Sequence, residues 1–322
     1  MKAPRFWSDP EATAGALLAP LGLLYDLAGR SLRAGQKTQT IDVPVICVGN
    51  LTAGGAGKTP VAIALAGLLA DRDPAFLTRG YGGRTRGPIQ VDCDTHTAAD
   101  VGDEPLLLAR AAPTWVSADR PTGGRIAITA GARLVVMDDG FQNPSLHKDI
   151  SLIVVDGGTG FGNGRVMPAG PLRETIDAGL ARADAIVVVG ADRTGIRKSY
   201  GDRLPVFTAK VMPTPAADDL RGQRVLAFAG IGRPEKFFET LAEMDCELVS
   251  CVPFGDHEPY TPERIMRLCE DAASLKAVPV TTEKDLVRMP AEARAMVRTL
   301  PVAIVWDDQD AIVAFLKESL AR

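Results

Sequence analysis

Along most of the chain, apolar runs of four to seven residues alternate with longer stretches whose apolar positions recur at helical spacing. The runs at 43–48, 75–78, 114–118, 134–137, 150–155 and 185–189 are rich in Val, Ile, Leu and Phe. Bounded by Gly, Pro or Asp, they predict buried strands. The stretches 61–70, 106–112 and 119–130 lie between them and predict helices. Alternation of this kind implies a parallel sheet covered by helices on both faces. From Arg221 the pattern restarts with strand-like 225–231, helix-like 235–244, strand-like 246–254, helix-like 262–273 and strand-like 278–282, then a final strand and helix. A second, smaller α/β domain is expected there.

The first forty residues follow a different pattern. Asp9-Pro10-Glu11 is a helix-start signal. On a helix, Leu17, Leu21, Leu24 and Leu32 share one face, with Asp26, Arg30, Arg33 and Lys37 roughly opposite. The apolar run from Ala14 to Tyr25 is too short to span a bilayer, contains Pro20 and lacks a clear signal-peptide cleavage pattern. Pattern alone leaves two readings, a helix packed on the protein's own core or one lying in a membrane interface with Phe6 and Trp7 nearby.

The run at 43–48 ends in a glycine loop, Thr52-Ala53-Gly54-Gly55-Ala56-Gly57-Lys58-Thr59, which leads into the first predicted helix. Strand, glycine loop, Lys-Thr and helix make a phosphate cradle. Backbone N–H groups and the helix N-terminus face the phosphates, Lys58 reaches the β- and γ-phosphates, and the Thr59 hydroxyl meets Mg²⁺. Thr52 stands where the strict pattern has its first glycine, a variation that P-loop proteins tolerate. The expected fold is therefore a P-loop nucleoside-triphosphate-hydrolase-like parallel sheet domain with a second, smaller α/β domain. The boundaries are 1–40 for the N-terminal helix region, 41–217 for the P-loop domain and 218–322 for the smaller one.

Other polar groups gather at predicted strand ends, where α/β sheets bind ligands. The run at 134–137 ends in Asp138-Asp139, the Walker B form that places a carboxylate on Mg²⁺ opposite Thr59. Asp103-Glu104 opens a helix, where acids usually act as caps but here would also face the crevice. Arg79 ends one strand and leads into a glycine-rich loop with Arg84 and Arg86 that reads either as an anion-facing basic loop or as a solvated turn. Gly255-Asp256-His257-Glu258 and Thr281-Thr282-Glu283-Lys284-Asp285 follow strands of the second unit. Of the three histidines, His96 and His147 read as surface and loop residues, and His257 alone is placed to face a crevice.

Composition narrows the classes. The chain has 322 residues, 46% hydrophobic and 24% charged, enough for two folded units. A net charge of −4 argues against wholesale nucleic-acid binding. Five cysteines without a C-x-x-C pair point to a reducing compartment.

Taken in order, VGNLTAGGAGKTP, LTRGYGGR, VGDEPLLLA, VVMDDGFQN, PAGPLRE, FAGIGRPEKFF, FGDHEPYT and TTEKDLVR resemble the tetraacyldisaccharide 4′-kinase family of lipid A biosynthesis over nearly the whole chain. The resemblance implies transfer of the γ-phosphoryl of ATP to the 4′-hydroxyl of a lipid-anchored glucosamine disaccharide 1-phosphate at the cytoplasmic face of the inner membrane. It implies ATP on Thr52–Thr59, with Lys58 catalytic, and Mg²⁺ at Thr59, Asp138 and Asp139. Asp103 and His257 match the pair acting on the acceptor hydroxyl; Glu104, Arg173 and Glu174 fall on active-site positions. With the acyl chains in lipid, it turns the leucine face of the first helix toward the membrane. Peripheral membrane contact, no nucleic acid and a monomer are expected. One departure is Asn143, where the family usually has histidine after D-D-G-F-Q. Rival classes are a P-loop GTPase or metal-insertion chaperone, an ATP-driven ligase and a membrane adaptor. Glu283-Lys284-Asp285 lacks the acid two residues after lysine that guanine-specific loops carry, and Lys58, Thr59 and Asp138 together argue against a non-catalytic adaptor.

Overall fold

A computed structural model describes residues 4–256 and 258–321. The larger sheet contains β1 (Val45–Gly49), β2 (Pro74–Thr78), β3 (Ile89–Gln90), β4 (Thr114–Val116), β5 (Leu134–Asp138), β6 (Ile150–Asp156), β7 (Ala185–Val189) and β8 (Val206–Pro213). The smaller contains β9 (Arg224–Ala229), β10 (Glu247–Pro253), β11 (Val278–Thr282) and β12 (Arg298–Leu300), after which β13 (Val302–Trp306) returns to the larger. Strand order is β13-β8-β7-β6-β1-β5-β2-β4-β3 in one sheet and β10-β9-β11-β12 in the other. Pairing is parallel except at the two rims of the large sheet, where β3 and β13 run antiparallel to β4 and β8.

β1 lies at the middle of the large sheet between β5 and β6, with Val48 opposite Asp138. Its five residues are all buried, because helices cover both faces of the sheet. The last strand and helix depart from the sequence expectation, which carries the second unit through to 322. β13 pairs with β8, and Trp306, Ile312 and Leu316 bury against the same face of the large sheet as the helix after the glycine loop. The chain therefore crosses between the sheets twice, through 214–223 and at Pro301, where Thr214 N donates to Pro301 O at 3.0 Å.

The N-terminal helix, α1, spans Thr13–Ala34. Asp9 does not cap it but closes a preceding turn by accepting from Glu11 N. Its leucines are not packed inside: Leu17, Leu21 and Leu24 are 81%, 52% and 63% exposed. The face that packs is small and polar instead. Gly15, Gly22 and Asp26 are its buried residues, and a Cβ on Gly22 would stand 2.6 Å from Val166 O, so only glycine permits this approach. Among the described residues no helix is long and apolar enough to cross a membrane.

Candidate active site

The glycine loop turns sharply into the second helix, α2 (Lys58–Leu68), at Gly57, whose φ of 88° suits glycine. Gly54 and Gly55 are exposed, and a Cβ on either would meet nothing within 4 Å, so the cradle opens outward. Its near edge is fastened from both sides. Ala53 N donates to Pro171 O and Arg173 N donates to Leu51 O, both at 2.7 Å, while the Asn50 amide donates to Thr52 Oγ1 and Gly54 O. Ala56 is buried beneath the loop.

The Thr59 hydroxyl donates to Asp138 Oδ2 at 2.8 Å. Burial first, then the charge of Glu104, pushes the Asp138 carboxyl up to about 7, against the opposing pull of Lys58 and the Thr59 hydrogen bond. Asp138 Oδ1 is buried with no hydrogen-bond partner among the described residues. A hard divalent cation beside Thr59 and Asp138 would satisfy that oxygen and hold the carboxylate ionised, so these residues fit Mg²⁺. Asp139 follows in the left-handed region at φ 55°, which turns its carboxylate aside. Lys58 Nζ is 3.6 Å and Arg173 Nη1 3.4 Å from Asp139 Oδ1. Glu174 is fully buried among Arg182, Arg33 and Gln142.

Asp103, 4% exposed, begins the helix Asp103–Ala109, behind Gly102 at the cap position. Two cations from the small-sheet side meet it. Lys284 Nζ lies 3.8 Å from Asp103 Oδ2 and 3.4 Å from Glu104 Oε1, and Arg288 Nε lies 3.9 Å from Asp103 Oδ2. Burial would lower the Lys284 pKa, but the charges of Glu104, Asp103 and Asp256 outweigh it and raise it. Arg288 also pairs with Asp285 and donates to Gly230 O and Glu258 O. Asp285, fully buried, accepts from Gly230 N and from the Tyr260 hydroxyl, which fixes the three loops to one another. His257 lies outside the described residues. Arg79 is exposed at the end of β2, and Arg84 of the following loop is paired with Asp100.

A family model described as tetraacyldisaccharide-1-P 4′-kinase matches residues 14–321. The chain belongs to this family. The tetraacyldisaccharide 4′-kinase of Rhodospirillum centenum is 53% identical over all of the chain and 97% of its own length. That of Rhodospirillum rubrum is 51% identical over 98% of this chain and 97% of its own. The crystal structure of LpxK from Aquifex aeolicus, described as in complex with ATP, superposes with a TM-score of 0.76 at 26% identity. It covers 95% of this chain and 99% of that one.

Within a tetraacyldisaccharide 4′-kinase fold, several groups at this site escape a reading by motif. Arg120 is 2% exposed, donates to Ser117 O, and has no partner for Nε among the described residues. Burial first, then repulsion by Arg79, lowers its pKa to about 10. A dry guanidinium with a spare donor suits an anion. Its signal was Asp119-Arg120-Pro121, just beyond β4, which resembles an ordinary helix start. The place of 281–285 after a strand marks Lys284 as facing a ligand crevice, but no local pattern joins Lys284 and Arg288 to Asp103 and Glu104, or Arg33 to Glu174. Asn143 has its side-chain oxygen taken by Ser145 N and Oγ at 2.8 and 2.6 Å. It stabilises its own turn.

Proposed function

We propose that this protein transfers the γ-phosphoryl group of ATP to the 4′-hydroxyl of a lipid-anchored tetraacyldisaccharide 1-phosphate, as a peripheral protein on the cytoplasmic face of the inner membrane. The observation that carries this reading is the Thr59–Asp138 pair at the mouth of an open glycine cradle, with the cation-flanked Asp103–Glu104 pair beside it.

Backbone N–H groups of 54–59 and the α2 N-terminus bind the β- and γ-phosphates, and Lys58 meets the charge that grows on the transferred group. Thr59 and Asp138, with Asp139 close by, would hold Mg²⁺, which when bound would neutralise phosphate charge. Asp103 accepts the proton of the 4′-hydroxyl as that oxygen bonds to the γ-phosphorus; the bond to the β–γ bridging oxygen breaks and ADP leaves. Lys284 and Arg288 lie against the Asp103 carboxylate and hold it in place. His257, which the family resemblance pairs with Asp103, is the proposed partner in that proton transfer. Arg79, Arg120 and Arg173 supply positive charge for substrate phosphate. The exposed leucines of α1 meet the lipid surface from which the substrate projects.

The decisive assay incubates the purified protein with ATP, Mg²⁺ and the disaccharide 1-phosphate in detergent micelles and follows product by mass spectrometry. A second phosphate on the lipid is expected. ATP consumed with only inorganic phosphate released would point to a hydrolase instead.

A further inference from the structure

Between α1 and the glycine loop lies a single strip of chain, 165–175, bonded to both. On the loop side, Pro171 O accepts from Ala53 N, Leu51 O accepts from Arg173 N, and Thr52 and Leu172 form an antiparallel bridge. On the helix side, Asp26 Oδ1 accepts from Thr175 N at 3.4 Å, Arg30 donates to Thr175 Oγ1 at 2.9 Å, and Arg30 also pairs with Asp26 Oδ2 at 2.6 Å. Arg33 Nη2 stands 3.4 Å from Glu174 Oε2.

Glu174 continues the connection inward. It takes Arg182 at 2.5 Å and Gln142 at 3.2 Å; the same Gln142 amide donates to Asn50 O at 2.9 Å. Arg173 spans Gln142 Oε1 and Asp139 Oδ1, the oxygen that also faces Lys58. Asp26 and Glu174 are both buried, 6% and 0% exposed, so their partners cannot be exchanged freely for water. The opposite face of the helix presents leucines to the outside. One helix thus has a lipid-type face and a face wired to the phosphate site.

We propose that α1 is part of the scaffold of the phosphate site as well as a lipid-facing surface. Asp26 and Arg33 are positioning residues that act on the glycine loop and Asp139 through the strip 171–175. Neither touches substrate. They fix Thr175 and Glu174, and those in turn fix Arg173, Gln142 and the first residues of the loop. A helix held on a bilayer by its leucines would hold the strip in the same place, so a lipid surface and a well-formed phosphate cradle are linked through one rigid body.

The kinetic arm of the test rests on the phosphotransfer reading above; the structural arm does not. Asp26→Asn and Arg33→Gln each remove a charge without a large change of shape. In micelles at saturating lipid substrate, each is expected to lower kcat roughly 10- to 100-fold, the scale of small misplacements of reacting groups. Arg33→Lys should recover part of the loss. Flotation with vesicles should match the wild-type protein, because the leucine face is untouched. In the nucleotide-free proteins, amide hydrogen exchange should accelerate at 51–54 and 171–175 in both variants. Unchanged exchange at those amides would overturn the proposal, as would kcat losses that merely parallel a loss of vesicle binding. Should wild-type protein fail to phosphorylate the lipid, the functional reading falls while the exchange arm still decides the coupling. Thermal melts establish that the variants are folded, and if Arg33→Gln does not fold, Asp26→Asn and Arg33→Lys carry both measurements.

Discussion

Lys58 and Asp139 form an ion pair that neither partner needs for burial. Lys58 is mostly covered and Asp139 is about a third exposed, and Arg173 already contacts the same Asp139 oxygen. Lys58→Ala therefore leaves no charge stranded and should fold with little loss, while its ammonium is missing where negative charge accumulates in phosphoryl transfer. We expect turnover to fall by about 10²–10³-fold, the usual cost of deleting one preorganised electrostatic group, with the melting temperature shifted by only a few degrees. Near-wild-type turnover in the folded variant would remove Lys58 from the chemistry. Lys58, Thr59 and Asp138 could be read from the chain because phosphate recognition is written into short contiguous patterns, a glycine loop and a strand ending in acid. Arg120 could not, and Lys284 and Arg288 only in part: their segment stands after a strand, but only the fold dries Arg120 or carries Lys284 across to Glu104, 180 residues away.

The elements divide in the same way. β1, β2 and β4 to β7 of the large sheet are visible as short apolar runs, since burial on both faces leaves no polar alternation to obscure them, whereas the two-residue β3 and the part-exposed β8 carry no such run. α1 was visible as an amphipathic helix, but periodicity cannot say which face turns inward. Small residues settle that: Gly15 and Gly22 let the helix backbone approach 163–170 closely, and the bulky leucines are left outside. Order in the chain assigns β13 and the helix after it to the nearer sheet, whereas β13 pairs with β8 across the junction and the helix packs on the large sheet. For α1 the consequence is measurable. Replacing Leu17, Leu21 and Leu24 with Ser should cost the isolated fold little, because the three are exposed. It should move the protein from floated vesicles to supernatant, since each leucine buried in lipid contributes on the order of 1.5–3 kcal/mol. Undiminished flotation with the fold intact would mean that another surface meets the lipid.

At the scale of the whole molecule, the two sheets are joined at one end and clasped at the other. The joint is where both chain crossings meet, Thr214 bonded to Pro301. The clasps are two charge clusters at the strand ends that line the site, Lys284 and Arg288 on Asp103–Glu104, and Arg233 with Lys236 on Asp156. A joint on one side and ionic clasps on the other favour opening by rotation about the joint, which would admit a bulky acceptor and then close over it.

The Asp156 clasp gives this arrangement a pH signature. Burial alone would raise the Asp156 pKa, but the Lys236 hydrogen bond and charge, together with Arg233, outweigh it and hold it below the ordinary aspartate value. The folded pKa is thus lower than the unfolded one, of about 3.9. The stabilisation is fully present above that value and is lost as pH falls through the folded pKa, so activity measurements between pH 6 and 8 should not sense it. Asp156→Asn should bring the acid behaviour to neutral pH. Its side-chain oxygen can still accept from Gly158 N, which preserves the turn, but Arg233 and Lys236 then face a neutral group. Small-angle scattering at pH 7 should give a larger radius of gyration for nucleotide-free Asp156→Asn than for the wild-type protein. In the wild-type protein the same expansion should emerge only as the pH is taken below about 4. Identical radii for the two proteins at pH 7 would mean that the Lys284–Arg288 cluster alone holds the sheets together, and that Asp156 serves only its own turn.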